Sequence, residues 1–216
     1  MKFKALIPVR SGSVRVENKN IRPFAGSNLL EVKIRQLLSV KELDGIVVNS
    51  NSDEILAVAS KYPVELVKRD EKYASNSVFM TDVYEHMAVN FSADVVVYTA
   101  VTYPLISPET VSKIIRKFKE GNYDSVVPAS PVKRFLFKDG KPLNYDPARF
   151  PRSQDLPNIM SLSWAASVIP RDLMIARKST VGANPHLFEL SDTESVDIDT
   201  PFDFTVAEMM YQKLFL

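Results

Sequence analysis

The amino-acid sequence predicts an α/β protein, with a mostly parallel sheet covered by helices on both faces. Three observations lead there. Short apolar, β-branched runs alternate along the chain with segments of helical period. The strand runs are apolar throughout rather than alternately polar, as burial on both faces of a sheet demands. The length, 216 residues, suits one domain over 1–216 with a sizeable core.

Residues 5–9 form the first expected strand, followed by a polar loop to about Pro23. Leu29, Leu30, Val32, Ile34, Leu37 and Leu38 recur at helical spacing and predict a helix over 29–40. Residues 45–49 read as a buried strand. Residues 53–61 open with acids, as the first turn of a helix favours. A strand over 64–67, a helix over 79–90 and a strand over 93–99 follow, the last carrying Val95, Val96 and Val97. Ser107, Pro108 and Glu109 supply an N-cap, a proline at N1 and a first-turn acid for a helix ending near Lys119. After a strand over 125–129, residues 131–157 are rich in proline and basic residues and lack a period, which marks an excursion from the sheet. Regular pattern resumes over 161–169, with Trp164 expected in a strand core. A strand over 196–199 and a helix from Pro201 close the chain.

Composition excludes several classes of function. With 45% hydrophobic and 25% charged residues the chain matches neither a disordered protein nor a coiled coil. A net charge of +1 gives no global attraction to nucleic acid or an anionic membrane. The absence of cysteine removes disulfides, iron–sulfur clusters, thiolate zinc and cysteine nucleophiles. Two distant histidines, His86 and His186, argue against a histidine-rich metal site, and His86 reads as structural. No run approaches the roughly 18 apolar residues of a membrane helix. The first apolar stretch breaks at Arg10, too soon for a signal peptide, so a cytoplasmic protein is expected.

In sheets of this kind ligands sit beyond the carboxyl ends of the strands. The loop after the first strand holds Arg10, Arg15 and Lys19 with Gly12, Ser11 and Ser13. Guanidinium forks and exposed N–H groups there suit a polyphosphate, although one glycine makes neither a Walker loop nor a dinucleotide fingerprint. The plainer alternative is a solvated loop whose cations pair with Glu17. Near the other end, Asp197 and Asp199 alternate, so a strand would project both to one side. Two adjacent carboxylates repel unless a cation lies between them, and Mg²⁺ takes such a pair together with phosphate oxygens. The alternative is that Asp199 or Thr200 simply caps the last helix, which would leave Asp197 unexplained. A third cluster, Arg152–Pro157 with Gln154, could bind the carboxylate and hydroxyls of a sugar acid, or serve as a polar loop or subunit contact. Lys133, Arg134 and Lys138 form a weaker basic cluster.

Together and in this order these residues resemble the acylneuraminate cytidylyltransferase family, the CMP-sialic acid synthetases. Ile7-Pro8-Val9-Arg10-Ser11-Gly12-Ser13 with Lys19-Asn20-Ile21 resembles the family's nucleotide loop. Arg69-Asp70 stands where the family has Arg-Pro, and Ala74-Ser75-Asn76-Ser77 resembles its Ala-Ser-Asp-x-Ser. Arg152-Ser153-Gln154-Asp155-Leu156-Pro157 is close to its Arg-x-Gln-(Asp/Glu)-Leu-Pro, and Val196–Thr200 with Asp203-Phe204 to its Asp-Ile-Asp element. The resemblance spans the chain and is most specific at the two ends. It implies a Rossmann-like sheet of the nucleotide-sugar transferase type, a homodimer packed through 131–157, and transfer of CMP from CTP to a nine-carbon 2-keto sugar acid with Mg²⁺. By resemblance Arg10, Ser13, Arg15, Lys19, Asn20, Arg69 and Ser77 belong to the nucleotide site. Lys138, Arg152 and Gln154 belong to the sugar site, and Asp197 and Asp199 to the metal. Arg10, Lys19 and Asp199 are then the catalytic candidates.

The departures concentrate on the sugar side. Val14 stands where the family usually has lysine, with Arg15 beside it, and Asn51 where an aspartate is common. The family's Gln-Pro-Thr-Ser-Pro-Leu-Arg becomes Ala100-Val101-Thr102-Tyr103-Pro104-Leu105-Ile106, and its Asn-Gly-Ala becomes Ser163-Trp164-Ala165. A rebuilt polar wall changes which sugar is accepted. Two other functions stay open on the sequence alone: a catalytically silent nucleotide-binding homologue, or a nucleotidyltransferase for another sugar.

Overall fold

The computed structural model describes residues 1–13 and 15–216; the departure read at Val14 lies outside the described residues. Strands β1 (Phe3–Pro8), β2 (Gly45–Ser50), β3 (Glu65–Lys68) and β4 (Val95–Tyr98) are parallel neighbours in the order β3-β2-β1-β4. Beyond β4 comes β9 (Ser167–Pro170), antiparallel to it, then β5 (Ser125–Pro131) and β10 (Pro185–Glu189), parallel to one another. A short β8 (Met160–Leu162) runs antiparallel against β5.

The apolar strand runs have the two-sided burial that their composition predicts. In β1, Ala5 and Ile7 face one core while Leu6 faces the other, following the period of two along a strand. The larger core takes the apolar faces of α1 (Leu29–Leu38), α2 (Asp53–Ala59), α4 (Pro108–Lys119) and α6 (Pro201–Phe215). The opposite core is closed by α3 (Met80–Val89) and α5 (Arg171–Arg177). Helix starts follow local chemistry. Ser107 Oγ accepts from the Thr110 N–H at 3.1 Å with Pro108 at N1, and Asn28 and Ser52 cap α1 and α2 in the same way.

Three expectations need correction. Residues 196–199 form no strand; one backbone hydrogen bond, from Ile198 N–H to Thr102 O at 2.9 Å, ties the segment to the loop after β4. Alternation of valine, isoleucine and aspartate suits a strand, but a strand also needs a partner strand, and this segment pairs with none of the sheet strands. The pattern over 161–169 is broken into β8 and β9, so Trp164 sits between them with 37% of its surface exposed. Helix α5 and strand β10 have no clean sequence signal, because α5 buries only Met174 and β10 begins with a proline and is half exposed.

The excursion leaves the sheet at Pro131 and returns at Met160, which pair with each other. Within it β6 (Phe137–Lys138) and β7 (Lys141–Pro142) join through Asp139-Gly140, both at positive φ, the conformation of a tight two-residue hairpin turn. Phe135, Phe137, Tyr145 and Phe150 gather there with ring centroids 4.7–6.1 Å apart. No helix among the described residues is long and apolar enough to cross a membrane.

Candidate active site

The sheet has a switch point. From β1 the chain builds outward through β2 and β3, then returns to lay β4 on the other side of β1. The loops after β1 and β4 therefore diverge and leave a crevice at the strands' carboxyl ends. A cleft of about 400 Å³ occupies that place. One wall is Arg10, Ser13, Arg15, Lys19 and Asn20; the other is Ala100, Val101 and Thr102, with Asn76 between.

The first wall is shaped by its own backbone. Gly12 has φ +76°, where a β-carbon would be strained, and turns the chain directly after Ser11. Asn51, at the end of β2, pins that turn: its Oδ1 accepts from Ser11 N–H at 3.1 Å, and its Nδ2 donates to Ser11 Oγ and Glu71 Oε2. An aspartate could still accept from the Ser11 hydroxyl but could not donate to Glu71, whose carboxylate would repel it, which accounts for the amide here. Asn20 donates to Arg10 O at 2.9 Å, and Arg10 Nη1 donates to Ala74 O at 2.6 Å, aligning the loop with residues 74–76.

The acids meet these cations. Arg15 Nη2 lies 2.8 Å from Asp199 Oδ1, and Lys19 Nζ donates to Ile198 O at 2.6 Å, midway between the two aspartates. Burial lowers the Lys19 pKa, while Asp199 and Asp197 both pull it back up. Burial raises the Asp197 pKa; the hydroxyls of Thr102 and Tyr103 approach its carboxylate and oppose that rise, while Asp199 adds to it. Among the described residues, nothing hydrogen-bonds to the buried Asp197 Oδ1. The last helix is capped separately, by Thr200 and Asp203, so the cap and the acid pair coexist.

This donor set fits Mg²⁺. An orphaned buried carboxylate oxygen beside a second, half-exposed carboxylate offers the one or two protein ligands that Mg²⁺ takes when phosphates and water complete its shell. Among the described residues no cluster of three or more histidine, aspartate or glutamate side chains forms a cage of its own.

Other expected residues lie elsewhere. The Arg69 guanidinium is 4% exposed and already committed, donating to Asn49 Oδ1 at 2.6 Å and Asn49 O at 3.0 Å; burial pushes its pKa down to about 10. It borders a second cavity of about 340 Å³ that shares Arg10, Asn76 and Ala100 with the cleft. Ser77 lies outside both, its Oγ 2.9 Å from Ser75 Oγ. Lys138 is on β6 and Gln154 in a short 3₁₀ turn, both exposed. Arg152 pairs with Asp155 at 2.7 Å. None of these three joins the cleft lining. Sequence reasoning passed over Asn76, Thr102 and Tyr103 as site residues, although the last two follow β4, where the strand-end rule points. The Ala100 N–H donates to Trp164 O at 2.9 Å, so two of the sugar-side departures are neighbours.

Comparison with known proteins agrees with this geometry. The chain is 26% identical over 213 residues to N-acylneuraminate cytidylyltransferase of Oncorhynchus mykiss, covering 94% of this chain and 49% of that one, so it spans about half the length of the fish protein. It is 26% identical over 225 residues to pseudaminic acid cytidylyltransferase of Campylobacter jejuni, covering 98% and 97%. Its fold is similar to that of CMP:2-keto-3-deoxy-manno-octonic acid synthetase complexed with CTP, with a TM-score of 0.74 at 16% identity over 99% of this chain and 100% of that one. The cytidylyltransferase family model matches residues 4–158. With 155 of its 216 residues inside that match, the chain belongs to the cytidylyltransferase family of nucleotidyltransferase enzymes.

Proposed function

We propose that this chain transfers CMP from CTP to a nine-carbon 2-keto sugar acid of the sialic type, releasing pyrophosphate, with Mg²⁺ as cofactor. The observation that carries this reading is the meeting of Arg15 and Lys19 with the segment Asp197–Asp199 at the switch-point cleft. The anomeric hydroxyl of the sugar attacks the α-phosphorus, the bond to the bridging oxygen breaks, and the hydroxyl proton is released. Arg10, Arg15 and Lys19 hold the triphosphate and offset the charge that gathers on its oxygens. Mg²⁺, when held by Asp197 and Asp199, supplies further charge neutralisation at the phosphoryl oxygens. The Arg15–Asp199 pair is exposed on both sides and contributes under about 1 kcal/mol, so exchange of both partners for ligand costs little.

The names of the relatives, an N-acylneuraminate and a pseudaminic acid cytidylyltransferase, support a sugar acid as acceptor. Ala100 in the cleft wall, bonded to the backbone of Trp164, supports an acceptor other than N-acetylneuraminate itself. A homodimer packed through 131–157 would hide the exposed faces of Phe137 and Phe150 and carry Lys138, Arg152 and Gln154 toward the other subunit's cleft. The test is pyrophosphate release from CTP and Mg²⁺ against a panel containing N-acetylneuraminate, legionaminic, pseudaminic and 2-keto-3-deoxy-octonic acids, with UTP, GTP and ATP as alternative donors. Release that needs CTP, Mg²⁺ and a nine-carbon acid is expected; no release with any acid overturns the proposal.

A further inference from the structure

Lys33 is a buried cation that the proposed reaction does not use. It lies on α1 with 1% of its surface exposed, and its Nζ donates to Tyr103 O at 2.8 Å. One turn on, Gln36 Nε2 donates to Pro104 O at 2.6 Å. The next carbonyl back along the same loop, Thr102 O, accepts the Ile198 N–H at 2.9 Å, and Ile198 is the residue between the two aspartates. Two side chains of α1 thus fix a loop whose neighbouring carbonyl holds the backbone between the two acids.

Packing alone does not account for a lysine here. Burial pushes its pKa down to about 7 and no ion pair among the described residues offsets that cost, whereas methionine would fill similar space without it. Either protonation state retains an N–H for Tyr103 O, so the anchoring does not depend on charge. Resting on the proposed metal site, we infer that Lys33 is a positioning residue: through the Tyr103 carbonyl it holds the loop after β4 against Ile198 and so sets the spacing of Asp197 and Asp199 for a divalent cation.

The test measures Mn²⁺ binding to the CTP complex by electron paramagnetic resonance, alongside thermal unfolding and CTP binding without metal. Lys33→Met should melt at or above the wild-type temperature and bind metal-free CTP within about twofold of wild type. Its Mn²⁺ affinity should fall about 10-fold, the low end of the loss that follows removal of a direct partner of a metal ligand, because Lys33 acts one contact further out. Gln36→Met should shift Mn²⁺ affinity in the same direction, and it decides the matter if Lys33→Met does not fold. Unchanged Mn²⁺ affinity in a folded Lys33→Met overturns the inference, as does failure of both variants to fold, which would make Lys33 a core residue only. If the wild type itself binds no Mn²⁺ with CTP, the metal site fails instead.

Discussion

Asp197 and Lys33 show how burial and function pull against each other at single residues. Asp197 keeps an oxygen without a partner and has its pKa raised by burial, so it weakens the free protein. Asp197→Asn should leave the melting temperature unchanged or higher, yet lower pyrophosphate release by roughly 100-fold or more, as several kcal/mol of cation-mediated stabilisation is lost. Equal activity in the variant would remove Asp197 from the site. Burial holds the folded-state pKa of Lys33 at about 7, below the ordinary lysine value of 10.5, so between those values the unfolded chain binds more protons than the folded one. Stability therefore rises with pH across that window and carries its full penalty below it. Urea unfolding of wild type and Lys33→Met at intervals from pH 7 to 10 should show the variant's advantage shrinking as pH rises. An advantage that stays constant would mean that Lys33 is not desolvated.

At the scale of elements, the start of α6 does two things at once. Thr200 Oγ1 accepts from Asp203 N–H at 3.2 Å, and Asp203 Oδ2 accepts in return from Thr200 N–H at 2.7 Å and Asp199 N–H at 3.1 Å. The cap thereby fixes the backbone of Asp199 while leaving its carboxylate to Arg15. Thr200→Ala should cost about 1 kcal/mol in urea unfolding. The Thr200 hydroxyl, with the backbone N–H groups of Thr200 and Asp199, holds the Asp203 pKa below its ordinary value. That contribution is present above the unfolded carboxylate pKa and is lost in acid, so the wild-type advantage should vanish as pH falls through the carboxylate range. A stability difference unchanged down to pH 2 would argue against the reciprocal cap. The cap was readable from Thr-Pro-x-Asp, because capping is a matter of four consecutive residues. The strand expected just before it was not, since pairing depends on which edge of a distant sheet is free.

For the whole molecule, the excursion and the switch point matter most. Phe137 and Phe150, 61% and 65% exposed, meet through Tyr145 in one aromatic patch on the excursion, the surface that the proposed homodimer would cover. On the dimer proposal, the double substitution Phe137→Ser with Phe150→Ser should convert a dimer to a monomer in sedimentation while preserving the melting of the sheet core. A wild type that sediments as a monomer at micromolar concentration would end the dimer proposal. Strands β1, β2 and β4 were legible because unbroken apolar β-branched runs fit little else than a doubly covered sheet. The cationic loop and the acid pair were legible as chemistry from their residue types and their resemblance to a family. By itself the sequence determined what depends on near neighbours: the buried runs, the helix caps, the Gly12 turn and the inventory of charges. Only the tertiary structure decided that Lys19 would reach Ile198 across 179 positions, that Lys33 would be buried beneath the same loop, and that Arg69 would be spent on Asn49. Those meetings follow from strand order and crossover, where each contact is fixed by many weak burials elsewhere in the chain and by no local pattern of its own.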